Sequence, residues 1–201
     1  MLFRSLGLGF MLLEISMIQR LVRFLGYPTY SLTVTLASIL LFTGLGALLS
    51  KRFADRPRRA VVTSGLALLA LGIAYLFALN PITDALLQTP FWFRVITTVL
   101  LLAPLGVCLG MFMPLGLGVV AGLGPHADEY VAWGWAVNGF FSVIGSVGTT
   151  ILAMAYGFRT VQVVALCVYG VAVLAFLALE RAAAGAAVDP VAEPSAEVVG
   201  A

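Results

Sequence analysis

Six apolar runs divide the sequence and leave little between them but short connections. Each is long enough to cross a hydrocarbon core about 30 Å thick, which takes about 20 helical residues. They extend over about Leu6–Leu25, Tyr30–Leu49, Ala60–Leu79, Phe93–Val119, Val131–Tyr156 and Val161–Leu179. In lipid the backbone must satisfy its own hydrogen bonds, so runs of this length fold as helices. Composition agrees: 10% of residues are charged and 62% hydrophobic, against about 25% charged in a soluble globular domain. The pattern predicts an all-α, polytopic membrane protein. Residues 1–180 form a six-helix transmembrane domain, and 181–201, rich in Ala, Val, Pro and Glu with no helical stripe, form a disordered cytoplasmic tail. The first run is not a signal peptide, because Glu14 interrupts it and no small-residue cleavage site precedes the next span. The chain opens almost directly on that span, as a fragment or the product of a split gene would.

The connections suit six spans. Gly26-Tyr27-Pro28-Thr29 reads as a tight turn, with Gly26 ending one helix and Pro28 presetting φ for the next. Asn80-Pro81-Ile82-Thr83-Asp84 opens a longer loop that closes near Pro90, and Trp92 and Tyr30 fall at span boundaries, where amphipathic rings settle. Gly122 to Glu129 is a polar, Gly-rich loop holding the single His126, and Gly157-Phe158-Arg159-Thr160 is another turn.

Orientation follows from the loop after the second span. Lys51, Arg52, Arg56, Arg58 and Arg59 crowd it, offset only by Asp55. Basic residues beside a span stay in the cytoplasm, which puts both termini there too. That side then holds seven basic residues (Arg4, those five and Arg181) against four outside (Arg20, Arg23, Arg94 and Arg159). The loop is expected to meet anionic lipid or a protein partner, each charge adding about 1 kcal/mol of attraction to an anionic leaflet. A net charge of +2, concentrated there, argues against nucleic acid.

Glu14 lies mid-span. A carboxyl group at that depth costs about 2.5–3.5 kcal/mol on insertion scales and must face the bundle interior. Two readings stand: a proton, cation or substrate-amine site, or a structural Glu hydrogen-bonded to a neighbouring helix. The expected partner is Asn138 in the fifth span, with Ser142 one turn further on the same face. Gln19 and Arg23, four apart near the outer end of the first span, with Arg20 beside Gln19, either snorkel to headgroups or contact an anion or lipid headgroup at a cavity mouth. Gly106 and Gly110, a G-x-x-x-G, and Gly145 and Gly148 mark faces where helices pack closely. Cys108 and Cys167 have no metal-ligand spacing and read as small core residues, and Met111, Met113 and Met154 as packing residues. No Ser-His-Asp set, P-loop, H-E-x-x-H or catalytic carboxylate pair is present, so no catalytic residue, metal or cofactor is expected.

Two resemblances bear on function. The six-span layout with a basic second loop resembles one half of a major facilitator transporter. Asp55-Arg56-Pro57-Arg58-Arg59 is similar to the D-R-x-G-R-R part of that family's loop, with Pro57 and Arg58 in place of the x-G pair. The chain also resembles the membrane region of spermidine-synthase-like membrane proteins. The matching phrases are G-F-M-L-L-E-I-S-M-I-Q-R at Gly9–Arg20, F-L-G-Y-P-T-Y-S-L at Phe24–Leu32, G-M-F-M-P-L-G-L at Gly110–Leu117, and A-W-G-W-A-V-N-G-F-F-S-V-I-G-S-V at Ala132–Val147. In that family such helices accompany a Rossmann-type domain resembling aminopropyl- or methyltransferases. This sequence has no β-α-β pattern and no Gly-rich cofactor loop, so the resemblance implies the membrane module without catalysis of its own. It would anchor or serve a soluble Rossmann-type transferase partner, in the cell (inner) membrane. The alternative is a half-size transporter of a small, polyamine-like cation, working as a homo-oligomer. A third reading, an enzyme subunit of that family, lacks a cofactor fold to act with.

Overall fold

The computed structural model describes residues 1–122 and 127–188, with side chains described through residue 182. Six helices follow in order: α1 (Leu2–Leu25), α2 (Pro28–Ser50), α3 (Pro57–Ala85), α4 (Phe91–Ala121), α5 (Ala127–Tyr156) and α6 (Phe158–Val188). A 3₁₀ turn, Lys51–Phe53, follows α2, and no strand occurs among the described residues. All six helices are long and apolar enough to cross a membrane. His126, read as a loop residue, and 189–201, the larger part of the expected tail, lie outside the described residues.

The first turn forms as its residues dictate. Gly26 takes φ 92°, a left-handed value that favours glycine, and its N–H donates to the Val22 carbonyl. Pro28 opens α2 at its first helical position, where a missing N–H costs nothing. Gly157, at φ 81°, makes the corresponding break before α6.

Three helices run past their expected ends. α3 continues through Pro81 to Ala85, across the stretch expected to open a loop. Proline there removes one N–H, to the Phe77 carbonyl, and the turn just before it is supported from outside: Arg20 donates to the Tyr75 carbonyl at 3.1 Å and Arg159 to the Leu76 carbonyl at 3.0 Å. α5 begins at Ala127, so Asp128 and Glu129 lie in its first turn, where carboxylates favour the helix dipole. α6 runs on to Val188, into the segment read as tail, through a run of alanines whose propensity propagates an existing helix without any stripe.

α1 is the centre of the bundle and packs against all five other helices. Half of its apolar window, 50%, is buried, against 11% for α5. α2 lies along α4 through its glycines, while α2 and α5 scarcely meet, leaving a groove between them. α3 and α6 close the opposite side of α1. With no hydrophobic drive between helices in lipid, these seams rest on close backbone approach. A Cβ on Gly106 would lie 2.7 Å from Phe42 Cβ, and one on Gly110 would strike the Thr43 carbonyl. Gly46 answers from α2 against the Val107 carbonyl, and Gly145 seats α5 on the Leu8 carbonyl. Gly148 is different: nothing lies within 4 Å of its Cβ position, so it packs no seam. Cys108 is half-buried and Cys167 is exposed, so Cys167 is not a core residue: it sits on the outward face of α6, away from the stripe of Val161, Ala165, Tyr169, Ala172 and Phe176.

Candidate functional site

The groove between α2 and α5 holds a cavity of about 560 Å³. Leu6 and Phe10 of α1 and Leu109 to Pro114 of α4 form much of its floor. Its polar groups are Thr43, Asn138, Ser142 and Tyr169. Few polar groups in an otherwise apolar concavity is the usual make-up of a small-molecule site.

Glu14 stands behind this cavity rather than in it. Leu6, Phe10 and Glu14 are spaced four apart on α1 and therefore lie on one face, with Glu14 one turn beyond the last α1 residue lining the cavity. It is 5% exposed, and its Oε1 has no hydrogen-bond partner among the described residues. Leu12, Leu13, Met17 and Ile18 around it are buried too, so the carboxyl group sits in the bundle core.

The expected pairing with Asn138 and Ser142 does not form. Asn138 Nδ2 donates to the Phe3 carbonyl at 3.4 Å, and Ser142 Oγ lies 3.5 Å from the Gly7 carbonyl and donates to the Asn138 carbonyl at 2.9 Å. Phe3 and Gly7 precede Glu14 by eleven and seven residues, which at 1.5 Å per residue is about 16 and 10 Å of helix. The two α5 residues thus fasten the N-terminal half of α1, where Gly7 lets the backbones touch: a Cβ there would strike the Asn138 carbonyl.

α2 meets α1 one turn beyond Glu14. Ser31 Oγ donates to the Ile18 carbonyl at 2.5 Å. α1 and α2 run antiparallel through the two-residue turn at 26–27. Four residues on in α2 is Thr35, and four back in α1 is Glu14, each one helical turn from that contact. Thr35 is fully buried, and its Oγ1, like that of Thr98 on α4, also lacks a partner. The buried side-chain oxygens without hydrogen bonds among the described residues are these three: Glu14 Oε1, Thr35 Oγ1 and Thr98 Oγ1. The four-residue spacing of Ser31 and Thr35 inside an apolar run was the available sequence signal.

The remaining predicted residues fall apart from Glu14. Gln19 is exposed and makes no side-chain hydrogen bond among the described residues. Lys51, Arg52, Arg56, Arg58 and Arg59 are all exposed at the bundle end that carries the α2–α3 connection. Gln162, which the sequence reading did not single out, is fully buried and joins three helices: it accepts from Arg20 and donates Nε2 to the Gly72 carbonyl at 2.9 Å. As the one amide in the α6 run it was visible in principle, but its partners come from α1 and α3. Among the described residues no group of three or more His, Cys, Asp or Glu side chains is placed to hold a metal ion.

No protein-family model, curated protein or solved structure matches this chain.

Proposed function

We propose that this chain is a half-size carrier module, resembling one half of a facilitator, in which a second six-helix body closes the α2–α5 groove and a small polyamine-like cation passes by way of Glu14. The observation that carries this reading is the carboxyl group one turn behind an open cavity with an oxygen left unbonded. A carboxyl kept for structure would have both oxygens paired, since an orphaned buried acceptor costs about 1–3 kcal/mol. An intramembrane acid left so is available to a proton or a cation. The module sits in the cell (inner) membrane with both termini and the 51–59 loop in the cytoplasm. The test is uptake of labelled spermidine into proteoliposomes containing the purified chain. Wild-type uptake above empty liposomes, abolished by Glu14→Gln, supports the reading. No uptake, or a fully active Glu14→Gln variant, refutes it.

A second reading is favoured by the exposed basic loop. Five cations project from one end of the bundle, and the sole ion pair among the described residues, Arg23 with Asp84, lies elsewhere. Such a surface suits a soluble, Rossmann-type transferase partner of the kind the spermidine-synthase-like resemblance implies. A mild-detergent pull-down that recovers a stoichiometric partner of that fold supports anchoring. Recovery of the chain alone, as a defined oligomer, supports the carrier.

A further inference from the structure

At the bundle end opposite the basic loop, three arginines converge on a second cavity, of about 260 Å³. Arg20 and Arg23 come from the last turns of α1 and Arg159 from the first turn of α6, while α3 contributes Asn80 and Asp84. Each arginine is fastened by a protein partner, Arg20 half-buried and Arg23 and Arg159 exposed. Arg20 donates to Gln162 Oε1, to the Tyr75 carbonyl at 3.1 Å and to Asn80 Oδ1 at 3.1 Å. Arg159 Nη2 donates to the Leu76 carbonyl at 3.0 Å, and Arg23 Nη2 pairs with Asp84 Oδ1 at 3.2 Å.

Charge and donors both remain in excess. Three guanidiniums face one carboxylate, and each guanidinium carries five N–H donors, of which these bonds use a few. A snorkelling arginine turns its head outward into the headgroups. Here Arg20 turns back between α1, α3 and α6, Arg23 and Arg159 line the exposed mouth of the same cavity, and Arg20 and Arg159 are anchored on carbonyls just before Pro81. Guanidinium forks match tetrahedral oxyanions in geometry as well as charge. A volume of 260 Å³ is that of about eight or nine waters, room for one such anion and its first waters. We propose that this cavity binds a phosphate group, either a free phosphate or the headgroup phosphate of an anionic phospholipid. The bilayer interface is at hand: Tyr30, Phe91 and Trp92 are exposed at the same end of the bundle.

The test uses the full chain in phosphatidylcholine nanodiscs, titrated with inorganic phosphate against chloride. In parallel, native mass spectrometry measures retention of phosphatidylglycerol from mixed nanodiscs. Saturable phosphate binding in neutral lipid assigns the free anion; selective retention of phosphatidylglycerol without it assigns the headgroup. In whichever arm responds, Arg23→Gln/Arg159→Gln, both exposed positions, weakens binding at least tenfold. Asp84→Asn, which removes the lone carboxylate and releases Arg23, strengthens it severalfold. Equal binding by all three proteins, or no binding in either arm, overturns the proposal. Neither outcome depends on Glu14 or on uptake.

Discussion

Replacing Gly106 by alanine places a methyl carbon 2.7 Å from Phe42 Cβ, about 0.8 Å or more inside the optimum carbon–carbon separation of ~3.5–4.0 Å. Phe42 cannot turn this atom away, because Cβ is fixed to the backbone. The Ile39 carbonyl, 3.3 Å from the same point, blocks a sideways shift. α2 and α4 must therefore part by about 1 Å. A gap of that size forfeits a quarter to a half of each contact, worth ~0.1–0.2 kcal/mol per atom pair, so a seam of roughly forty pairs loses on the order of 1–4 kcal/mol. Overpacked cores show costs in the same range, about 1–3 kcal/mol. Gly110→Ala and Gly46→Ala should cost at least as much, since their methyl groups meet the Thr43 and Val107 carbonyls. Gly148→Ala is the control: its methyl enters open space, and the loss of unfolded-state freedom should stabilise by about 0.4–1 kcal/mol. Reversible unfolding in mixed micelles titrated with sodium dodecyl sulfate, followed by circular dichroism, measures all four. If Gly106→Ala and Gly148→Ala unfold within about 0.5 kcal/mol of each other, the α2–α4 seam is not where the bundle holds together.

Glu14→Leu should raise stability by about 1–3 kcal/mol in the same titration while uptake is lost, because it removes a buried acceptor with an unpaired oxygen; a destabilised variant would mean the carboxyl group is structural. Gln162→Leu removes one of the three acceptors of the Arg20 guanidinium and the side-chain donor to the Gly72 carbonyl, and should cost about 1–3 kcal/mol. Asp84→Asn should change stability by less than about 1 kcal/mol, since its pair with Arg23 is exposed on both sides, 74% and 50%. A cysteine at Asp55 should react with an impermeant maleimide from the cytoplasmic side only; labelling from outside would invert the proposed topology.

Reading Glu14 as an interior residue required only its own chemistry, since a carboxyl group in an apolar run has nowhere else to go. Reading its neighbour required knowing how α1 sits on α5. The expectation of Asn138 rested on residue type and came out two to three turns away, because Gly7 and Gly145 set that register through contacts each helix shows only to the other. Thr35 went unremarked because it is one of four threonines in α2, and its burial shows only once the helices are packed. The arginines followed the same rule: Arg20 and Arg23 were visible as a pair on one helix, whereas Arg159, 136 residues after Arg23, joins them only when α6 folds back against α1.

Sequence alone determined the number of helices, the turns at Gly26 and Gly157 and the basic end of the bundle. Those depend on transfer of each run out of water and on local backbone limits such as those at Gly26 and Pro28, which every segment expresses by itself. Tertiary structure decided which glycines are seams and which merely face open space, as Gly106 and Gly148 show. It also decided what surrounds Glu14 and where three distant arginines meet. In lipid, apolar side chains gain little by choosing one another, so helix partners are selected by shape at a few small residues and by scattered hydrogen bonds. That selection is a property of pairs of helices, and no single segment carries it.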